Sequence, residues 1–312
     1  MPHTLTPDYR TNDSPMMALE HPLFADHGIK VWMKRDDLNH PTIQGNKWHK
    51  LKHNLEAAKA AGKSTLLTFG GAYSNHIAAT AAAGQAYGFQ TIGYIRGDEL
   101  AGRPERWSHT LLTAQQNGMQ LHFLSRSDYR LKTQSDFLDT LSAKHSEAYI
   151  LPEGGTNQAA VQGFKTLSQT IEFQCPNWTH LFTAVGTGGT LAGLVKFATP
   201  NPQRHILGVA SLKQADYLIP DIESLSGVSY NAAHSPNWRL LTEYCGPGYG
   251  QTAPDIEAAQ HWFESQFHIP LDSVYTNKMV YGFLQELQSG RLPSGSKVVL
   301  YHSGGLQGNP KT

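Results

Sequence analysis

Apolar runs that end in small or polar residues recur along the chain: TLLTFG (65–70), TIGYIRG (91–97), LHFLS (121–125), AYILPEGG (148–155), HLFTAVG (180–186), HILGVAS (205–211) and KVVLYHSGG (297–305). Their lengths and punctuation predict buried strands. Helical patterns lie between them, among them the alanine-rich stretch after Asn75 and residues 108–117. Strand then helix, repeated, predicts parallel sheets with right-handed crossovers. The two series of strands predict an α/β protein of two lobes. Residues 1–50 and 161–312 would form the larger lobe and 51–160 the smaller.

Composition narrows the partners. The 312 residues carry 25 basic and 25 acidic side chains, so net charge draws the protein toward neither nucleic acid nor anionic membrane. A small-molecule partner is the expectation. Cys175 and Cys245 stand far apart without C-x-x-C spacing, which suits a reducing compartment. The first fifteen residues lack a basic segment followed by an apolar one, and no apolar run approaches about 18 residues. A cytoplasmic protein is expected. Among 16 histidines, His49 and His53 sit one helical turn apart. The residues between them include no Glu, so the H-E-x-x-H zinc pattern fails and no metal site is predicted.

In open parallel sheets ligands bind at the carboxyl ends of strands, and three of these ends are unusual. FGGAYSNH (69–76) places Ser74 and Asn75 where a helix begins. A serine there serves as a plain helix cap, or else it faces a ligand together with Asn75. TAVGTGGTLAGL (183–194) is a strand, a glycine-rich loop and a helix, the arrangement whose backbone N–H groups cradle a phosphate. Gly186, Thr187, Gly188, Gly189 and Thr190 form that loop. It is no dinucleotide fingerprint, because Leu191 stands where the third glycine belongs and no acid ends the next strand. VVLYHSGG (298–305) delivers Ser303 just before two glycines. Tyr301 excludes a nucleophile elbow, which needs glycine there.

The segment IQGNKWHK (43–50) puts Lys47 and Lys50 at a helix start, with Asn46 as the expected N-cap. A lysine there forgoes roughly 0.3 to 1 kcal/mol that an acid would gain. A bound anion or a lowered lysine pKa explains the choice. Pyridoxal 5'-phosphate meets all of these features at once. It offers an aldehyde to Lys47, a phosphate to the loop and to Lys50, a phenolic oxygen to Asn75 and a ring nitrogen to Ser303.

The chain also resembles the fold type II pyridoxal-phosphate enzymes, tryptophan synthase β-like. Within them it is similar to the branch of D-cysteine desulfhydrase and 1-aminocyclopropane-1-carboxylate (ACC) deaminase. The motifs that carry the likeness are GNKWHKL (45–51), SNH (74–76), PEGGTN (152–157), GTGGT (186–190), VYTNK (274–278) and HSGG (302–305). The resemblance implies that Asn75 holds the phenolic oxygen and that Ser74 lies near the substrate. It also implies that Tyr275 stacks or acts beside the cofactor, and that the protein is a homodimer.

Two activities divide this branch. ACC deaminases carry Glu after the tyrosine, Leu before the final glycines, and S-N-Q. Here Thr276, Ser303 and His76 occupy those places, which resembles the desulfhydrase side. A carboxylate beside the ring nitrogen keeps it protonated and strengthens the electron sink, whereas a hydroxyl does so less. The expected reaction is therefore β-elimination from a small amino acid, D-cysteine, giving pyruvate, ammonia and hydrogen sulfide. In it Lys47 moves the α-proton, and Ser74 or Tyr275 assists. Tyr73 stands where the branch commonly has Gln and is expected to reshape the pocket. ACC deamination is the rival within the class. A phosphate-binding oxidoreductase or a non-catalytic binding protein is the rival outside it.

Overall fold

The computed structural model describes residues 14–230 and 237–309. Residues 1–13, most of the leading segment read for a secretion signal, lie outside them. Ten strands are described: β1 (Met16–Leu19), β2 (Lys30–Arg35), β3 (Thr65–Gly71), β4 (Gln90–Arg96), β5 (Gln120–Leu124), β6 (Ala148–Ile150), β7 (His180–Val185), β8 (His205–Ala210), β9 (Asn237–Leu241) and β10 (Lys297–His302). They form a six-stranded sheet, ordered β1-β2-β10-β7-β8-β9, and a four-stranded sheet, β5-β4-β3-β6. Every pairing is parallel except that of β1 with β2. The architecture is the parallel-rich α/β fold expected.

Continuous apolar runs make sense here because both faces of the large sheet are covered. Along β10, Val298 and Leu300 enter one core with Phe182 and Phe283, while Val299 and Tyr301 enter the other with Leu181 and Leu191. Successive side chains point to opposite faces, so each apolar pair anchors one layer. Each such side chain, fully buried, contributes about 1.5 to 3 kcal/mol. The small sheet divides in the same way, with Leu66 in one cluster and Leu67 and Phe69 in another.

Three strands fall outside the apolar runs read from sequence: β1, β2 and β9. β2 ends in Lys34 and Arg35, which look like solvent-facing residues but are buried. Lys34 donates to Ser14 O and to Gln174 Oε1 at 2.9 Å, and Arg35 grips Asp37 through two hydrogen bonds of 2.8 and 2.7 Å. Residue 50, near the boundary read between the lobes, lies within the helix Asn46–Ala60. The run 148–155 is strand only as far as Ile150; Pro152 starts a turn that becomes the short 3-10 segment Glu153–Gly155. No helix among the described residues is long and apolar enough to cross a membrane.

Candidate active site

The helix Asn46–Ala60 is capped by Gly45, not by Asn46. Gly45 has φ +64°, and a Cβ on it would lie 1.9 Å from Ser303 O, so only glycine fits between these two chain segments. Asn46 then lies in the first helical turn. Its N–H donates to Ser303 O at 3.1 Å and its side-chain amide donates to Thr190 Oγ1 at 2.9 Å. In this way the lysine helix, the end of β10 and the glycine-rich loop after β7 are joined at one point.

These segments and the ends of β3 and β4 surround a cavity of about 580 Å³. Lys47 and Lys50 both face it. Lys47 Nζ donates to Asn46 Oδ1 at 2.8 Å. Burial lowers its pKa to about 8, against a smaller opposing pull from Asp272. Lys50 donates to Gly154 O and Thr156 Oγ1, both at 3.0 Å, and to Thr187 Oγ1 at 3.4 Å. Burial, and then the charge of Lys47, push its pKa well below the usual lysine value. Two cations therefore sit close together with no carboxylate on Lys50, a balance that an anion between them would reverse.

Gly186, Thr187, Gly188 and Thr190 line the same cavity. Gly188 has φ +80° and caps the helix Gly189–Phe197, whose first turn holds no acid. Gly189 lies behind the wall; a Cβ there would come 2.7 Å from Thr156 Oγ1 and 3.2 Å from Lys50 Nζ. A helix N-terminus, a lysine and three threonine hydroxyls stand together here, groups that could hold one phosphate.

Ser74 occupies the cap position of the helix Asn75–Tyr87 but makes no side-chain capping bond, and it faces the cavity. The plain cap reading is therefore set aside. Asn75 donates to Asp272 Oδ2 at 3.3 Å and leaves its Oδ1 buried without a partner. Tyr275 faces the cavity, with its hydroxyl 3.4 Å from that of Tyr249. Burial first, then Tyr249, raise its pKa well above the usual value, so its hydroxyl keeps its proton. Ser303 also lies on the wall.

Two expectations change. Thr276 is fully buried and does not line the cavity; its hydroxyl accepts from Asp272 N at 2.7 Å and donates to Asp272 O at 3.3 Å. Tyr73 is 55 % exposed and also lies off the wall. No group of side chains suited to a metal occurs among the described residues. His49 is bonded to Asp36 at 2.8 Å and His53 to Glu56 at 2.8 Å.

Several site residues receive no role from the sequence alone. Asp272 is buried and accepts from Tyr275 N at 2.6 Å and Thr276 N at 3.1 Å, so it fixes Tyr275 and Asn75 together. An Asp just before a predicted helix is a capping signal that would have found it. His76 is buried on the wall with Nδ1 unpartnered, and burial, then Lys47 and Lys50, hold it neutral. Tyr249 and Arg96 reach the site from distant segments, with no local pattern to reveal them.

The unpartnered Asn75 Oδ1 and His76 Nδ1, the lowered Lys47 and the phosphate cradle fit an aldehyde-bearing aromatic phosphate. Fold and cavity together define a two-lobed α/β protein whose cavity suits such a cofactor. The family model described as pyridoxal-phosphate dependent enzyme matches residues 12–304, and the chain belongs to that family. A D-cysteine desulfhydrase of Klebsiella pneumoniae is 26% identical over 293 residues, 91% of this chain and 89% of that one. A mitochondrial bifunctional D-cysteine desulfhydrase/1-aminocyclopropane-1-carboxylate deaminase of Arabidopsis thaliana is 26% identical over 298 residues, 90% and 74% of the two chains. A crystal structure of an ACC deaminase homologue superposes with a TM-score of 0.76 at 26% identity, covering 96% of this chain and 92% of that one.

Proposed function

We propose that this enzyme catalyses β-elimination and deamination of a small amino acid, D-cysteine, to pyruvate, ammonia and hydrogen sulfide. The observation that carries this reading is Ser303. It brings a hydroxyl, not a carboxylate, to the cavity wall beside the glycines, and Glu153 is the one carboxylate among the residues lining that wall. A wall so poor in acid favours reactions that need a moderate electron sink.

When bound, pyridoxal phosphate supplies the sink for charge that develops at the substrate's α-carbon. Lys50, Thr156, Thr187 and the start of the Gly189 helix would hold its phosphate. Asn75 offers an acceptor as it stands and a donor with its amide reversed. Lys47, with a pKa near 8, is the group that moves the α-proton at neutral pH. Tyr275 keeps its proton and so orients or donates, and does not act as base. The N–H groups at the start of the Asn75 helix, with Ser74, would bind the substrate carboxylate. The relatives named for D-cysteine and for ACC support this class of substrate.

We place the enzyme in the cytoplasm as a homodimer. Its two free, buried cysteines suit a reducing compartment, and sedimentation of the purified protein tests the assembly. The decisive assay offers D- and L-amino acids with β-leaving groups beside ACC. Pyruvate from D-cysteine supports the reading, and 2-oxobutanoate from ACC in preference overturns it.

A further inference from the structure

The small-sheet side of the cavity carries more positive charge than D-cysteine needs. Arg96 ends β4, and Arg126, Arg130 and Lys132 follow β5; all four line the cavity. Glu153 is already engaged, accepting from Tyr129 at 2.7 Å and pairing with Lys132 at 3.3 Å. Arg126 reaches Glu99 only at 4.0 Å with most of its side chain in solvent. Among the described residues Arg96 and Arg130 have no hydrogen bond or ion pair to an acid.

Arg96 stands on this wall at the exposed end of β4, and Arg130 is exposed as well. Its guanidinium stands 6.0 Å from the centre of the Tyr129 ring. A Cβ on Gly71 would lie 3.7 Å from Arg96 Nη2 and 3.9 Å from Tyr249 Cε1. Tyr249 in turn touches Tyr275, and Gly71 leads into the loop that carries Ser74 and Asn75. Arg96 therefore borders the place where the substrate would lie. The phosphate cradle uses other residues, and the substrate carboxylate has the Asn75 helix. Unpaired like charges facing one cavity repel one another, and guanidinium groups match planar or tetrahedral oxyanions through paired hydrogen bonds. Set together on one wall, these exposed guanidinium groups would match a third anion.

We infer that the enzyme accepts, beyond D-cysteine, amino acids whose β-substituent is itself an oxyanion held by Arg96 and Arg130, and uses them with higher kcat/KM. This rests on the elimination reading. With O-phosphoserine, the α-proton leaves, the Cβ–O bond breaks and its electron pair departs on phosphate. The 2-aminoacrylate released takes up one water and gives pyruvate and ammonium. No oxidant or reductant is needed.

The test uses the holoenzyme and compares pyruvate release from D- and L-O-phosphoserine with release from D- and L-O-acetylserine, which also leaves through oxygen. Phosphoserine is expected to lead by roughly tenfold or more in kcat/KM. Arg96→Gln should erase most of that lead, Arg130→Gln part of it, and Arg96→Lys should restore some. Calorimetry with 3-phosphonoalanine, which cannot eliminate, should show binding about tenfold tighter than alanine in wild type only. Equal use of both esters, or an equal loss for both in Arg96→Gln, overturns the inference and leaves the elimination reading standing. The first outcome denies the preference, and the second means that Arg96 merely steers anions in general. No pyruvate from either ester or from D-cysteine overturns both.

Discussion

Lys47 donates to the side-chain oxygen of Asn46 at 2.8 Å, while the amide nitrogen of the same Asn46 donates to Thr190 at 2.9 Å. One residue thus ties the Lys47 amine to the glycine-rich loop after β7. Asn46→Ala removes both bonds, each worth about 1 kcal/mol. Cofactor affinity, measured by fluorescence titration, should fall by roughly tenfold. Both bonds exist without the cofactor, so the thermal midpoint of the apoprotein should fall as well, though the helix keeps its Gly45 cap. A large drop in the midpoint with unchanged affinity would make Asn46 structural.

Because Lys47 has a pKa of about 8 and not the usual 10.5, its free-amine fraction at neutral pH is far above that of an ordinary lysine. The rate of cofactor capture by the apoprotein should rise with pH and level off above about 8. Between about 8 and 10.5 the unfolded chain holds a proton on this lysine that the folded chain has lost. Apoprotein stability therefore gains from Lys47 as pH rises through that window, and the cost of burying its charge is fully present below it. Urea melts of wild type and Lys47→Met should converge as pH rises from 8 to 10. A gap that widens would reverse the sign.

Gly189→Ala places a methyl group against Thr156 and Lys50. It should loosen the clamp on the phosphate and weaken cofactor retention by about tenfold, since a displaced charge-assisted bond is worth roughly 1.5 to 3 kcal/mol. Dialysis followed by absorbance of the retained cofactor measures it. Full retention moves the phosphate away from Lys50.

Thr276→Glu would press a carboxylate against buried Asp272, whose own pKa burial already raises. The variant should unfold at lower denaturant, by 3 kcal/mol or so. Ser303→Leu, which alters the cavity wall directly, should instead leave stability nearly intact and change the ratio of D-cysteine to ACC turnover. An unshifted ratio at full cofactor occupancy would remove Ser303 from the choice of reaction.

The parallel cores are legible because residues such as Val298 to Leu300 are apolar on both faces. Lys47 and Lys50 stand out because cations contradict the electrostatics of a helix start. β2 is not legible, since Lys34 and Arg35 hide a buried strand behind charges whose partners lie far off in sequence. Thr276 misleads for the opposite reason. Its place beside Tyr275 is visible, but its hydroxyl is taken by Asp272 through a local turn that residue type alone does not reveal. Arg96 and Tyr249 become site residues only when the two sheets bring β4 and the segment after β9 to one cavity.

The pairing of β2 with β10 sets a timetable. Lys30–Arg35 and Lys47 come long before Lys297–His302 in the chain, yet β10 lies between β2 and β7 in the finished sheet. Until β10 inserts, Gly45 has no Ser303 carbonyl to pack against, Asn46 N–H has no acceptor there, and the cavity lacks one wall. The cavity cannot close around a cofactor before β10 is in place, so loading follows completion of the large sheet.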